Sequence, residues 1–454
     1  MASGKKGSGA GDKGASIRSK AIPTGRVSRF AKVAKLAGGV AGGMLAEGAR
    51  QWRAGNRPKA RELVLTSSNA RRVANQLGEM RGAAMKMGQI LSMDSGDLLP
   101  RELTEILAKL RAEARSMPLK QLQRSMTDAY GEGWEQVFYG FDYNPIAAAS
   151  IGQVHRAISP DGREIVLKVQ YPGVSQSIDS DVDNIGTILR LSGLLPDGIE
   201  IQPLLDDAKI QLHEEADYFA EEQHLEAFGR VLSADERFVL PEVLSQFTRQ
   251  NVLAMTYVSG SPIESIAGLH QAERDRVMTA LIDLMLTELF GLKMMQTDPN
   301  FANYLYRKAT GDIVLLDFGA TRHFKPTFVN NYRKLAVAIV AGDRKKIAAA
   351  AGRLGYSTGE VNSDYRELLV DLFMLALEPL EGDEPYDFAG SNLMIRMSQM
   401  GESVKDYREF WQAPPIDAIY FHRKLGGMFM LASRLEARVN VYKLLQRWLP
   451  GAAR

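Results

Sequence analysis

"QTDPNFANYLYRKATGDIVLLDFGATRHF" spans residues 296–324, with Asp298 five residues before Asn303 and Asn303 fourteen before Asp317. The apolar run 313–316 (IVLL) ends on Asp317-Phe318-Gly319, so a short strand delivers a carboxylate onto a glycine turn. Two carboxylates and an amide in this order are the inventory of a phosphoryl-transfer site. Such chemistry needs hard-cation ligands, a cation on the phosphates and a carboxylate near the attacking hydroxyl. Asp317 suits Mg²⁺, which prefers oxygen ligands, and Asn303 can offer its amide oxygen to a second metal. Alone, a D-F-G is as readily a turn. Its spacing from D-x-x-x-x-N is what selects the chemical reading.

Working upstream, Asp298 takes the place of the catalytic-loop aspartate in the protein-kinase pattern, which also demands a strand lysine and a phosphate loop. "IVLKVQ" (165–170) alternates as a strand and presents Lys168 where that lysine belongs. The phosphate loop departs from the pattern, because no G-x-G-x-x-G precedes the strand. "AAASIGQVH" (147–155) offers Ala147, Ala148, Ala149, Ser150, Ile151 and Gly152 instead. Alanine permits close backbone approach but disfavours positive φ, so this loop is expected to be stiffer than a glycine loop. Met255 and Val258, in "NVLAMTYVSG" (251–260), complete the nucleotide-binding candidates. An acidic partner for Lys168 is expected on a helix. "EEADYFAEE" (214–222) supplies Asp217 and Glu221, four apart and so expected on one face, although such a run is more commonly a solvated helix surface. The distance from Lys168 to Glu221 implies a helical insertion at about 175–210.

The pattern along the chain is α+β. Residues 60–125 read as helices broken at Pro100 and Pro118. The turn "SPDGR" (159–163) joins two alternating runs as a hairpin. Residues 175–229 return to helix with breaks near Pro196 and Pro203, and "FVLPEVL" and "NVLAMTYVSG" read as two strands. From 262 onward helix dominates, with strand pieces near Tyr304 and at 313–316. We expect a two-lobed, protein-kinase-like fold divided at 1–50, 51–125, 126–260 and 261–454. After Arg322 the sequence runs straight into a helical pattern, with no A-P-E and no loop of activation-segment length.

Composition sets the outer limits. The 454 residues are 45% hydrophobic and 24% charged, enough for a sizeable core. No cysteine is present, which excludes disulfides, thiolate metal sites and a cysteine nucleophile. The six histidines form no metal-binding cluster in sequence. Residues 1–35 hold nine Lys/Arg and one acid, a charge of +8 that leaves −6 for the rest of a chain whose net charge is +2. An acidic body argues against a nucleic-acid partner. Residues 1–25 are Gly-, Ser- and Lys-rich and expected to be disordered. Val27, Phe30, Ala31 and Ala34 then recur at helical spacing among basic residues, which suits an anionic membrane surface as well as a solvated tail helix. "LAGGVAGGMLA" (36–46) is too short to span a bilayer, and its glycine spacing suits a close helix contact such as a homodimer.

"KMGQ" (86–89), the alanine-rich loop, "EAD" (215–217), "QTDPNFAN" and "LLDFGATR" together resemble the UbiB family of atypical kinase-like proteins, on the branch serving coenzyme Q biosynthesis. The likeness covers about residues 60–440. It implies that Lys86 and Gln89 lie on an added N-terminal helical element covering the active site, with Lys86 meeting Glu215 and Asp217. The helix glutamate paired with Lys168 falls on Glu221. The resemblance also implies ATP/ADP and Mg²⁺ binding, ATPase rather than protein-kinase activity, membrane association and a role in ubiquinone synthesis beside other enzymes of that pathway. The expected location is peripheral, on the cytoplasmic side of a bacterial membrane or the matrix side of the mitochondrial inner membrane. A small-molecule kinase of the aminoglycoside or choline type would explain Asp298, Asn303 and Asp317 but not KMGQ. A nucleotide-binding scaffold without catalysis would leave the metal and base positions without a purpose.

Overall fold

Pro118 precedes a helix, in extended backbone at the φ of about −61° that its ring fixes. Helix α1 (Leu119–Tyr130) begins there and ends at Gly131, whose φ of +88° only glycine adopts readily. The computed structural model describes Lys86 and residues 117–191, 201–356, 362–407 and 414–449. The expectations for the basic tail, the 36–46 run, Gln89 and most of the 51–125 segment lie outside the described residues.

The chain divides into two compact units, whose described residues are Lys86, 117–162 and 167–205 for the first, and 163–166 and 206 onward for the second. In the first unit, β1 (Gly140–Phe141), β2 (Ala147–Ala148) and β3 (Gly152–Ile158) form one antiparallel ladder system on β3, with Gly140 opposite Ile158 and Ala147 opposite Val154. The expected hairpin follows. Gly162, at φ +86°, donates to the Ser159 carbonyl at 2.9 Å and returns the chain into β4 (Glu164–Gln170). Residues Ile165, Leu167 and Val169 are fully buried on one face of β4, and Val166, Lys168 and Gln170 are buried on the other. A strand buried on both faces explains its near-continuous apolar run. Helix α2 (Val174–Leu191) supplies the first part of the expected insertion.

A buried polar chain anchors the start of this unit. The Met117 amide donates to Gln153 Oε1 at 2.8 Å, Gln153 Nε2 meets His155 Nε2 at 2.7 Å, and His155 Nδ1 meets the Asp142 carbonyl at 2.9 Å. A carbonyl can only accept, so Nδ1 carries the proton and Nε2 accepts from Gln153. Burial holds the His155 pKa below its ordinary value and the ring neutral.

Helix α3 (Gln202–Ala216) carries the chain into the second unit, where α4 (Tyr218–Leu232) leads to β5 (Phe238–Val239), β6 (Val252–Thr256) and β7 (Ser261–Pro262). Helix α5 (Gln271–Leu286) runs on into a π-helical turn, Thr287–Leu292. Then come β8 (Met294–Gln296), β9 (Tyr304–Tyr306), β10 (Ile313–Leu315) and β11 (Thr321–His323). The remainder is mostly helical: α6 (Pro326–Val340), α7 (Arg344–Arg353), α8 (Ser363–Ala376), α9 (Leu393–Ser403) and α10 (Ile416–Arg434). Strand β5 pairs parallel with β10, β10 pairs antiparallel with β9, and β11 pairs antiparallel with β8.

The break expected near Pro203 is where α3 begins, with the proline in its first turn, where a missing N–H costs nothing. Two local expectations change. "FVLPEVL" is a strand only over Phe238–Val239, followed by a single bridge from Val243 to Met255, because Pro241 cannot donate to a ladder. Asp217 does not share a helical face with Glu221. It is the exposed N-cap between α3 and α4, where its side chain accepts from the Ala220 amide at 3.0 Å.

Candidate active site

The two opening motifs are the two connections between a pair of short ladders. Strand β8 leads through Asp298 and Asn303 into β9, and β10 leads through Asp317 and Gly319 into β11, which returns beside β8. Crossing hydrogen bonds tie the loops at both ends: Leu316 N donates to the Asn303 carbonyl at 3.0 Å, and Thr297 N and Oγ1 donate to the Ala320 carbonyl at 3.0 and 2.8 Å. Within the loops, Asn303 Nδ2 donates to Asp298 Oδ2 at 3.2 Å, and Gly319 N donates to Asp317 Oδ1 at 3.0 Å. The Asn303 amide is therefore oriented by Asp298, which leaves Oδ1 as the atom that could accept a cation. An amide oxygen and a carboxylate from adjacent loops fit Mg²⁺, which binds through few protein oxygens and completes its shell with water and phosphate. Among the described residues no group of three or more His, Cys, Asp or Glu is placed to form an all-protein metal cage, which that mode does not need.

Helix α4 packs one face on the D-F-G turn. Phe228 meets Phe318 with ring centroids 4.6 Å apart, and His224 hydrogen-bonds the Phe318 backbone. Glu221, seven residues before Phe228 and so on the same face, is 2% exposed. A Cβ on Gly319 would stand 3.4 Å from both Asp317 Oδ1 and Glu221 Oε2, so the glycine keeps the turn close to two carboxylates. Burial, and then His323, whose ring lies 5.8 Å away, hold the His224 pKa below its ordinary value.

In the first unit, Ala149 N donates to the Gly152 carbonyl at 2.9 Å, so the alanine-rich segment is a tight hairpin turn between β2 and β3. Ala147 and Ala148 are exposed, whereas Ile151 is buried in the core and its carbonyl accepts from Tyr171 N at 2.9 Å. Gly152 is sterically required: a Cβ there would lie 2.4 Å from the Val169 carbonyl oxygen. Lys168 is 7% exposed, and Lys86 is helical and fully buried. In the second unit, Met255 is buried on β6, Val258 is half-buried just beyond it, and Glu215 is half-buried near the end of α3.

The sequence reading missed two supporting clusters. Arg322, just past the D-F-G, donates to Glu214 Oε1 at 3.1 Å and lies 4.0 Å from the centroid of the Tyr420 ring. Tyr420 in turn donates to Asp207 Oδ1 at 2.7 Å, so α3 is fastened to α10. Beneath the Asp298 loop, Lys424 Nζ donates to Gln296 Oε1 at 3.1 Å and Tyr304 OH at 2.8 Å, with Glu288 Oε2 at 3.9 Å. Burial pushes the Glu288 carboxyl up to about 7, against the opposing pull of Lys424 and the Gln296 amide. Only the "R" of "DFGATR" carried a local signal; the rest depends on contacts far apart in the chain.

Residues 109–351 match the ABC1 atypical kinase-like domain. Over 432 residues the chain is 37% identical to the mitochondrial atypical kinase COQ8 of Saccharomyces cerevisiae, covering 95% of this chain and 86% of the relative. It is 33% identical to the mitochondrial atypical kinase COQ8B of Rattus norvegicus, covering 94% of this chain and 81% of the relative. Among solved structures, Rv3197 of Mycobacterium tuberculosis, determined as a complex with erythromycin, gives a TM-score of 0.58 at 23% identity, over 85% of this chain and 97% of that one. That likeness speaks for the fold alone, and with the domain match it bears out the expected protein-kinase-like fold. The chain belongs to the UbiB family of atypical kinases, which the ABC1 domain defines.

Proposed function

We propose that this protein is an atypical kinase-type enzyme that binds ATP with Mg²⁺ and hydrolyses it, or passes the γ-phosphoryl group to a small acceptor, in support of ubiquinone synthesis at a membrane. The carrying observation is the pair of loops tied to each other at both ends, one carrying Asp298 hydrogen-bonded to Asn303 and the other carrying Asp317. Bound Mg²⁺ would neutralise the β- and γ-phosphate oxygens. Asp317 and Asn303 would hold it, and Asp298 would accept the proton of the attacking hydroxyl or water. Lys168 supplies the phosphate cation, Glu221 orients it, and Ala147–Gly152 with Met255 and Val258 line the nucleotide. The segment that carries Lys86 and Gln89 restricts entry to the site.

Water or a small acceptor is favoured over a protein by the short path out of the D-F-G. Strand β11 ends at His323 and α6 starts at Pro326, with no room for a peptide-docking segment between them. Names of the relatives place those proteins in mitochondria, and we assign this chain to a peripheral position on a membrane. Among the described residues no helix is long and apolar enough to cross one. The test is Mg²⁺-dependent ATP turnover, with and without anionic liposomes, in wild type and Asp317→Asn. Turnover is expected to fall by about 100-fold or more in the variant with its fold intact, as for loss of a transition-state charge stabiliser. Equal turnover in the two proteins would remove the central assignment.

A further inference from the structure

Helix α10 touches the Asp298 loop at its entry, middle and exit. Lys424 holds Gln296, the last residue of β8, and Tyr304, the first of β9. Gly427, three residues on and on the same face, lies so close that a Cβ there would stand 2.3 Å from Pro299 Cβ. Lys424, Gln296, Tyr304 and Glu288 are each 4% exposed or less. The loop cannot slide along α10, because Pro299 fills the gap left by the glycine and its two ends share one ammonium.

An ammonium in such a place needs anionic or strongly polar neighbours on its remaining directions. Its neighbours are the Gln296 amide oxygen, the Tyr304 hydroxyl, Glu288, and the charge of Asp298 beyond them. Burial alone would lower its pKa, but Glu288, Tyr304 and Asp298 together outweigh that and keep it protonated. Glu288 is delivered by the π-helical turn after α5, where the extra residue turns a carboxylate inward. Lys424, Gln296, Tyr304 and Glu288 are all buried and spend their polar atoms on one another, which points to a geometric role.

We propose that Lys424 is a positioning residue for phosphoryl transfer, pinning both ends of the loop so that Asp298 and Asn303 keep one separation through the reaction. This rests on the function proposed above and adds the device that holds its base and metal ligand in register. A base misplaced by about 1 Å costs on the order of 100-fold in rate without a matching loss of substrate binding.

The test uses the full chain with three substitutions, Lys424→Met, Tyr304→Phe and Gln296→Leu. Each is measured for kcat and KM for MgATP per nucleotide-binding site, and for backbone hydrogen exchange over residues 296–304. Lys424→Met is expected to lower kcat by about 10- to 100-fold with KM nearly unchanged, and to speed exchange in that segment but not in α4. Tyr304→Phe is expected to give a smaller loss, and the double variant no further loss than Lys424→Met alone, because both remove one constraint. Unchanged kcat per binding site with only a lower melting temperature would reduce Lys424 to a stabilising contact and overturn the proposal. If Lys424→Met does not fold, Tyr304→Phe and Gln296→Leu decide by the same criteria. If wild type shows no turnover, the proposed function fails, while unaltered exchange in the variants would separately refute the positioning role.

Discussion

His422 sits two residues before Lys424 on α10, yet its chemistry is the opposite. Its Nε2 lies 2.9 Å from the hydroxyls of both Tyr332 and Tyr356, which lie 2.7 Å from each other. One edge of the ring is partly exposed, but its reactive nitrogen faces two tyrosines that are each 7% exposed, and that desolvation lowers its pKa from 6.5 to about 4. The unfolded chain therefore binds a proton near pH 6.5 that the folded chain refuses until about pH 4. The resulting stability is fully present above the unfolded value and is lost as pH falls through this window. Between about pH 7.5 and about pH 5 the loss amounts to about 2 kcal/mol. His422→Gln, which still accepts from a hydroxyl but does not titrate, is expected to show a shallower fall in melting temperature over that range. Parallel pH profiles for the two proteins would show that this imidazole is not the sensitive group.

At the scale of elements, α10 is the support on which both the Asp298 loop and the segment after the D-F-G rest. Arg322 is the link on the second side, with Glu214 of α3 on one face and the Tyr420 ring of α10 on the other. Its side chain is 18% exposed, so the stack is largely desolvated. Arg322→Lys keeps a charge near Glu214 but loses the planar overlap with the ring, and is expected to cost about 1–2 kcal/mol. Denaturant titration checks this, and an unchanged midpoint would mean the overlap contributes nothing. The same helix marks where sequence reading stops. Asp298, Asn303 and Asp317 are readable because their spacing is local and set by two short loops. The hairpin before Lys168 is readable for the same reason. Lys424 and Gln296 are 128 residues apart, and Arg322 and Glu214 are 108 apart. No period or motif joins such pairs, and a lysine in "FHRKLGGMF" reads as a solvated helix residue until the packing buries it. Asp217 is ambiguous in sequence for a related reason: capping and face-sharing use the same acidic spacing, and the backbone turn between α3 and α4 decides between them.

Over the whole molecule the charge is divided rather than balanced. Nine basic residues crowd into positions 1–35, while the remainder is net acidic. A body of that sign is repelled by an anionic bilayer, so peripheral attachment of this chain would have to run through its basic end. Each Lys or Arg near such a surface contributes roughly 1 kcal/mol, and the attraction decays within a Debye length of about 10 Å at moderate salt. Full-length protein is therefore expected to cosediment with vesicles rich in phosphatidylglycerol at low salt, and to be released as salt rises toward about 0.5 M. Deleting residues 1–50 is expected to abolish cosedimentation while leaving the catalytic body folded, because the ladders and helices that hold Asp298, Asn303 and Asp317 all lie beyond residue 117. Circular dichroism and MgATP turnover on the same samples separate loss of attachment from loss of fold. Full cosedimentation of the deleted form, or salt-resistant binding of the intact one, would place the membrane contact on the body and make it apolar rather than electrostatic.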